Sequence, residues 1–183
     1  MSIERAAFVH PSSLIYGAVT FGEGSSAWLN ATIRAEMNEV RIGAYSNIQD
    51  GVMIHVGAEG GTIIGEWCSI SHRATLHGCT IGDNVLVGIG ATIMDGCEIG
   101  SNCVIAGHSF LKEGTVIPPN SVVMGMPAAV KSTRDNRAAN RLNAWTYWMN
   151  ALAYVEGHYR LWSDPEFLAQ RSAERVRLIE LPE

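Results

Sequence analysis

The chain has 183 residues, 47% hydrophobic and 17% charged, which suits one packed domain and argues against disorder. Its net charge of −5, without any basic tract, makes nucleic acid and anionic membranes poor partners. Residues 1–11 contain Glu4 and Arg5 and no apolar run, so no secretory signal is expected. Residues 144–155 include Asn150 and fall short of the ~20 residues of a membrane span, and the cysteines point to a reducing, cytoplasmic setting.

An aliphatic or small apolar residue recurs every six positions. The phase begins at Val9, Ile15, Phe21, Ala27 and Ile33. It resumes at Ile42, Ile48 and Ile54 after three extra residues, and at Ile64, Ile70 and Leu76 after four. One residue is dropped before Ile81, and Val87, Ile93, Ile99, Ile105, Leu111, Ile117 and Val123 follow without interruption. Four places after most of them stands a small residue, such as Ala91, Cys97, Cys103 or Ser109. A period of six suits neither a long helix nor a hairpin meander. It suits a triangular solenoid with three short strands per coil, the aliphatic inward and the small residue in the corner.

After Pro127 the pattern changes. Thr133 or Asp135 can cap a helix, in which Leu142, Trp145, Trp148 or Met149, Leu152 and Val155 recur at helical spacing. That stripe is expected to pack on a solenoid face, and Gly157 to end the helix. Asp164-Pro165-Glu166 predicts the start of a shorter one. The expected organisation is a β-helix over residues 1–130 and a helical segment packed on it over residues 131–183.

The repeat allows residues to be stacked without a structure. Ile33, Ile54 and Leu76 share one position in three successive coils, so Arg34, His55 and His77 form an outward column. Adjacent strands lie ~4.8 Å apart, which puts the two histidines at chelating distance. A second column holds Leu29, Asp50 and His72. His72 lies across a corner and faces elsewhere within one chain. Two histidines of one chain and one from a neighbour would complete a site, which requires a trimer. Three neutral imidazoles suit zinc and leave a fourth position open for water. His10, His108 and His158 stand outside these columns and read as structural.

The six-residue pattern over residues 9–130 resembles the hexapeptide-repeat family, which implies an all-β solenoid, a left-handed parallel β-helix, here with a C-terminal α-helix. That fold hosts acyltransferases, nucleotidyltransferases and lyases, so it does not decide function. Arg34 with Glu36, then Asn47-Ile48-Gln49-Asp50-Gly51, His55, and His72-Arg73-Ala74-Thr75-Leu76-His77-Gly78-Cys79 resemble the γ-class carbonic anhydrase pattern in order and spacing. Ile117-Pro118-Pro119-Asn120-Ser121 and Met124-Gly125-Met126-Pro127 are similar to the same relatives.

This resemblance implies a homotrimer with His55 and His77 from one subunit and His72 from the next as metal ligands. Gln49 would orient the attacking hydroxide beside Asn47, and Arg34 and Asp50 would form an ion pair across the interface, with Glu36 shifting that pairing. The implied reaction is reversible hydration of carbon dioxide to bicarbonate. The implied cofactor is Zn2+, whose bound water has a pKa of about 7; Fe2+ and Co2+ are alternatives that metal supply decides. Glu36 and Ala35 stand where the family usually has Asp and Gly. Residues 56–61 form a short loop with Glu59 as its only acid, so no proton shuttle is carried over. Two other readings stay open. One is an acyl-CoA-dependent transferase with a single histidine base at an interface; the other is a structural trimer with a catalytically weak metal site.

Overall fold

The computed structural model describes residues 1–180. Short parallel strands stack into about six coils, and their register follows the six-residue phase. On one face Val9, Ala27, Ile48, Ile70, Val87, Ile105 and Val123 pair in succession. On the second, Ile15, Ile33, Ile54, Leu76, Ile93 and Leu111 do so. On the third, the sequence is Phe21, Ile42, Ile64, Ile81, Ile99 and Ile117. From Phe21 onward all of these are buried, with the corner residues Cys68, Val85, Ala91, Cys97 and Cys103 beside them. Like stacks on like, so each column fills the same space in every coil.

The extra residues of the repeat are accommodated locally. Strand Thr32–Ile42 runs across two faces beside strand Leu14–Phe21, with a register shift between Gly17 and Ala18. Gly17 has φ +87°, and a Cβ there would lie 2.0 Å from the Ala35 carbonyl oxygen, so only glycine fits. The loop after His55 is pinned where Asn38 Nδ2 donates to the Gly57 carbonyl at 2.7 Å and Thr62 Oγ1 to the His55 carbonyl at 2.6 Å. The last coil is closed by strand Ala128–Thr133 pairing antiparallel with Ser121–Gly125.

Helix α1 spans Arg137–Val155 and helix α2 Pro165–Glu180. Asp135 Oδ1 accepts the Arg137 N–H at 2.8 Å, and Asp164 Oδ1 accepts the Glu166 N–H at 2.8 Å, with Pro165 at the first helical position. Leu142 of the predicted stripe is buried, but the rest of the buried face of α1 differs from that stripe. Asn140, Ala144, Tyr147 and Ala151 are buried, whereas Leu152 is 40% and Val155 60% exposed. Trp145 stacks on Phe167 of α2, and Trp148 packs edge-on against Tyr45. The physical reason is closeness: α1 lies so near the coils that small residues take the contact and an amide ladder fixes it. Asn140 Nδ2 donates to the carbonyls of Asn84 and Cys103, each at 2.9 Å. Asn84 Nδ2 donates in turn to Asn102 Oδ1 at 2.9 Å, and Asn136 Nδ2 to the Asn102 carbonyl at 3.0 Å. All four cysteines are free and buried. Among the described residues no helix is long and apolar enough to cross a membrane.

Candidate metal centre

Strand pairing aligns Arg34 with His55 and His55 with His77, as the column spacing predicts. The two imidazole centroids are 5.0 Å apart, and His55 Nδ1 lies 3.0 Å from His77 Nε2. The remaining nitrogen of each ring faces a carboxylate. His55 Nε2 is 3.2 Å from Glu36 Oε2, and His77 Nδ1 is 2.8 and 2.9 Å from the two oxygens of Asp95. A carboxylate only accepts, so in the neutral rings these outer nitrogens carry the protons. The two inner nitrogens are then lone pairs facing each other, a repulsion that a shared proton or a cation removes. A tetrahedral ion with bonds of about 2.0–2.1 Å sets its ligand atoms about 3.3 Å apart, close to this separation. The pair therefore fits half of a zinc site, with its protons held away by carboxylates. Burial lowers the His55 pKa, with the Arg34 charge and His77 adding and Asp95 opposing, which favours the neutral, ligating form.

Asp95 was not singled out by the sequence reading. It reaches His77 because Gly57 and Gly78 clear its path: a Cβ would meet Asp95 Oδ1 at 2.2 Å from the first and 2.3 Å from the second. The signal was available, since Asp95 stands one full coil of eighteen residues after His77.

The other expected site residues divide. Arg34 pairs with Glu36, two places along the same strand, so the Glu36 carboxylate joins Arg34 to His55. Asp50 Oδ2 instead lies 3.0 Å from His72 Nδ1, so within one chain Arg34 and Asp50 belong to different clusters. His72 Nε2 is 3.4 Å from the hydroxyl of Tyr147, a second residue that sequence reasoning missed. Burial and Asp50 push the Tyr147 pKa up to about 12, so its hydroxyl stays protonated. Among the described residues no three donors of one chain gather around a common ion.

Asn47 and Gln49 are 1% and 2% exposed. Gln49 Nε2 donates to Asn47 Oδ1 at 3.0 Å, Asn47 Nδ2 to Ser69 Oγ at 3.0 Å, and Gln49 Oε1 accepts the His72 N–H at 3.3 Å. Within one chain these amides therefore support the His72 cluster. The resemblance implies a role for them beside the metal-bound hydroxide, and within one chain neither amide hydrogen-bonds to His55 or His77 among the described residues.

The family model for the bacterial transferase hexapeptide (six repeats) matches residues 78–113. The chain is 47% identical over 91 residues to a probable carbonic anhydrase of Methanocaldococcus jannaschii, covering 50% of this chain and 57% of that one. The match thus spans little more than half of that relative's length. It is 40% identical over 147 residues to the carnitine operon protein CaiE of Escherichia coli, covering 79% of this chain and 75% of that one. Among solved structures, a putative acetyltransferase of Bacillus cereus superimposes with a TM-score of 0.73 at 31% identity, covering 85% of this chain and 88% of that one. With a register that keeps one phase through every coil, and with relatives matched across most of its length, the chain belongs to the hexapeptide-repeat family of left-handed β-helices, and about half of it is similar to γ-class carbonic anhydrases.

Proposed function

We propose that the protein catalyses the reversible hydration of carbon dioxide to bicarbonate as a cytoplasmic homotrimer. Zn2+, or Fe2+ or Co2+ in its place, would be held by His55 and His77 of one subunit and His72 of the next. The observation that carries this reading is the stacked His55–His77 pair, whose inner nitrogens face each other at 3.0 Å while Glu36 and Asp95 hold the outer protons. A divalent ion bound there supplies hydroxide from water near neutral pH. Glu36 keeps a proton on His55 Nε2 and Asp95 keeps one on His77 Nδ1, so both rings present lone pairs inward. Gln49 steadies the His72 backbone through its Oε1, and the second N–H of its Nε2, which has no partner among the described residues, would orient a substrate oxygen. As an amide it does so without titrating.

The likeness to the Bacillus cereus structure favours a second reading, acyl transfer with a histidine as base. A lone base needs no second imidazole acceptor opposite it, which ranks this reading lower. The test is carbon dioxide hydration by the metal-loaded protein between about pH 6 and 9, the range set by a bound-water pKa near 7. Gln49→Ala is expected to lower turnover roughly ten- to a hundredfold with metal retained, and His77→Ala to lose metal and activity together. Hydration no faster than free metal, together with acetyl-CoA binding, would transfer the assignment to the second reading.

A further inference from the structure

Between the solenoid and α1 lies a cleft of about 460 Å³, within the usual range for small-molecule sites. Its apolar walls are Trp28, Tyr154 and Trp162. They are held stiffly by edge-on ring contacts, Trp28 to Tyr154 at 4.9 Å and Trp162 to Tyr147 at 5.3 Å. Two polar groups on the cleft have capacity to spare. Asn150 is only 9% exposed, yet its carboxamide makes no hydrogen bond among the described residues. The carboxamide opens on the cleft, where a ligand can take the place of solvent as its partner. Arg160, on the turn after α1, is exposed and makes no ion pair among the described residues. Among the described residues Asp50 is the only acidic side chain lining the cleft, and it is engaged by His72 at 3.0 Å. A guanidinium and an amide N–H are thus available on the cleft, and together they match a carboxylate. Carbon dioxide and bicarbonate are far too small to fill the aromatic remainder.

We propose that this cleft binds a small organic monocarboxylate, its charged end on Arg160 and Asn150 and its apolar body between Trp28, Tyr154 and Trp162. His72, an expected metal ligand, also lines the cleft, but none of the groups that would hold the carboxylate is assigned to the ion, and the metal-stripped form separates the two readings. It is tested by calorimetric titration of the full chain with benzoate, in metal-stripped and metal-loaded form. Benzoate should bind both forms with similar affinity. Arg160→Gln and Asn150→Asp should each weaken it about tenfold or more, and neutral benzamide should bind about tenfold more weakly than benzoate. Arg160 is exposed, so its variant carries the test if circular dichroism shows that Asn150→Asp does not fold. Two results overturn the proposal. One is no binding up to roughly ten millimolar benzoate. The other is binding that disappears with metal removal or in His77→Ala but survives Arg160→Gln, since benzoate would then be a ligand of the ion.

Discussion

Asp95→Asn removes one charge and leaves shape almost unchanged. In the native site both Asp95 oxygens face the His77 Nδ1–H, at 2.8 and 2.9 Å. Asparagine can still accept that proton with its oxygen, so the loss is the charge-assisted part of the bond. A neutral hydrogen bond is worth about 1 kcal/mol net and a charged one roughly twice that. The side chain of Asp95 is 40% exposed, so solvent screens its charge and the difference stays near the low end, about 1 kcal/mol. Removing such a partner of a metal-bound histidine typically costs ten- to a hundredfold in metal affinity, and screening selects about tenfold here. The assay is Zn2+ competition against a chromophoric chelator at fixed pH, with circular dichroism confirming the fold. Gly78→Ala should act in the same direction, because its Cβ would stand 2.3 Å from Asp95 Oδ1. Should Asp95→Asn lower the thermal midpoint and leave Zn2+ affinity within about threefold of the parent, the reasoning fails. The carboxylate would then support the turn and not the ligand.

Mixing subunits checks whether the site is shared. His72→Ala and His77→Ala trimers should each lack metal, while trimers reassembled from both should recover about one ion each, counted by elemental analysis; no recovery would refute a site built from two chains. Burial pushes Cys68 and Cys79 up to about 12 and raises Cys97 and Cys103, so the reactive thiolate is absent at neutral pH. A disulfide-exchange reagent at mildly alkaline pH should therefore detect no thiol in the native protein and all four after unfolding. Asn140→Ala removes two hydrogen bonds between α1 and the coils, a loss of about 2 kcal/mol. Differential scanning calorimetry should show a midpoint lower by roughly 4–8 °C.

The coil register was legible in the sequence because an inward column tolerates only one residue class. Counting the insertions was enough to align Ile33 with Ile54 and Leu76, and hence His55 with His77. What escaped lay one step beyond the column. Glu36 was legible as an acid of an ion pair, but its contact with His55 depends on how strand Thr32–Ile42 carries it past the corner. Beyond Leu142 the buried face of α1 was misread, because hydrophobic spacing assumes that large residues face inward. Here Asn140, Ala144 and Ala151 do so, and the exposed Leu152 and Val155 carry the stronger pattern. Tyr147 could not be placed at His72 from sequence, since the two are 75 positions apart and outside any common period.

The column from His55 through His77 to Asp95 climbs one coil at each step, in the middle of the stack. In such a fold each coil is held only by the coil above and the coil below, and opening begins at the ends. An ion gripped by the two histidines would clamp neighbouring layers that otherwise separate independently. Amide protons of these central coils should consequently exchange more slowly with metal present, while those near the two ends of the solenoid keep their rates. The column would act as a rivet, setting how far fraying can travel along the prism.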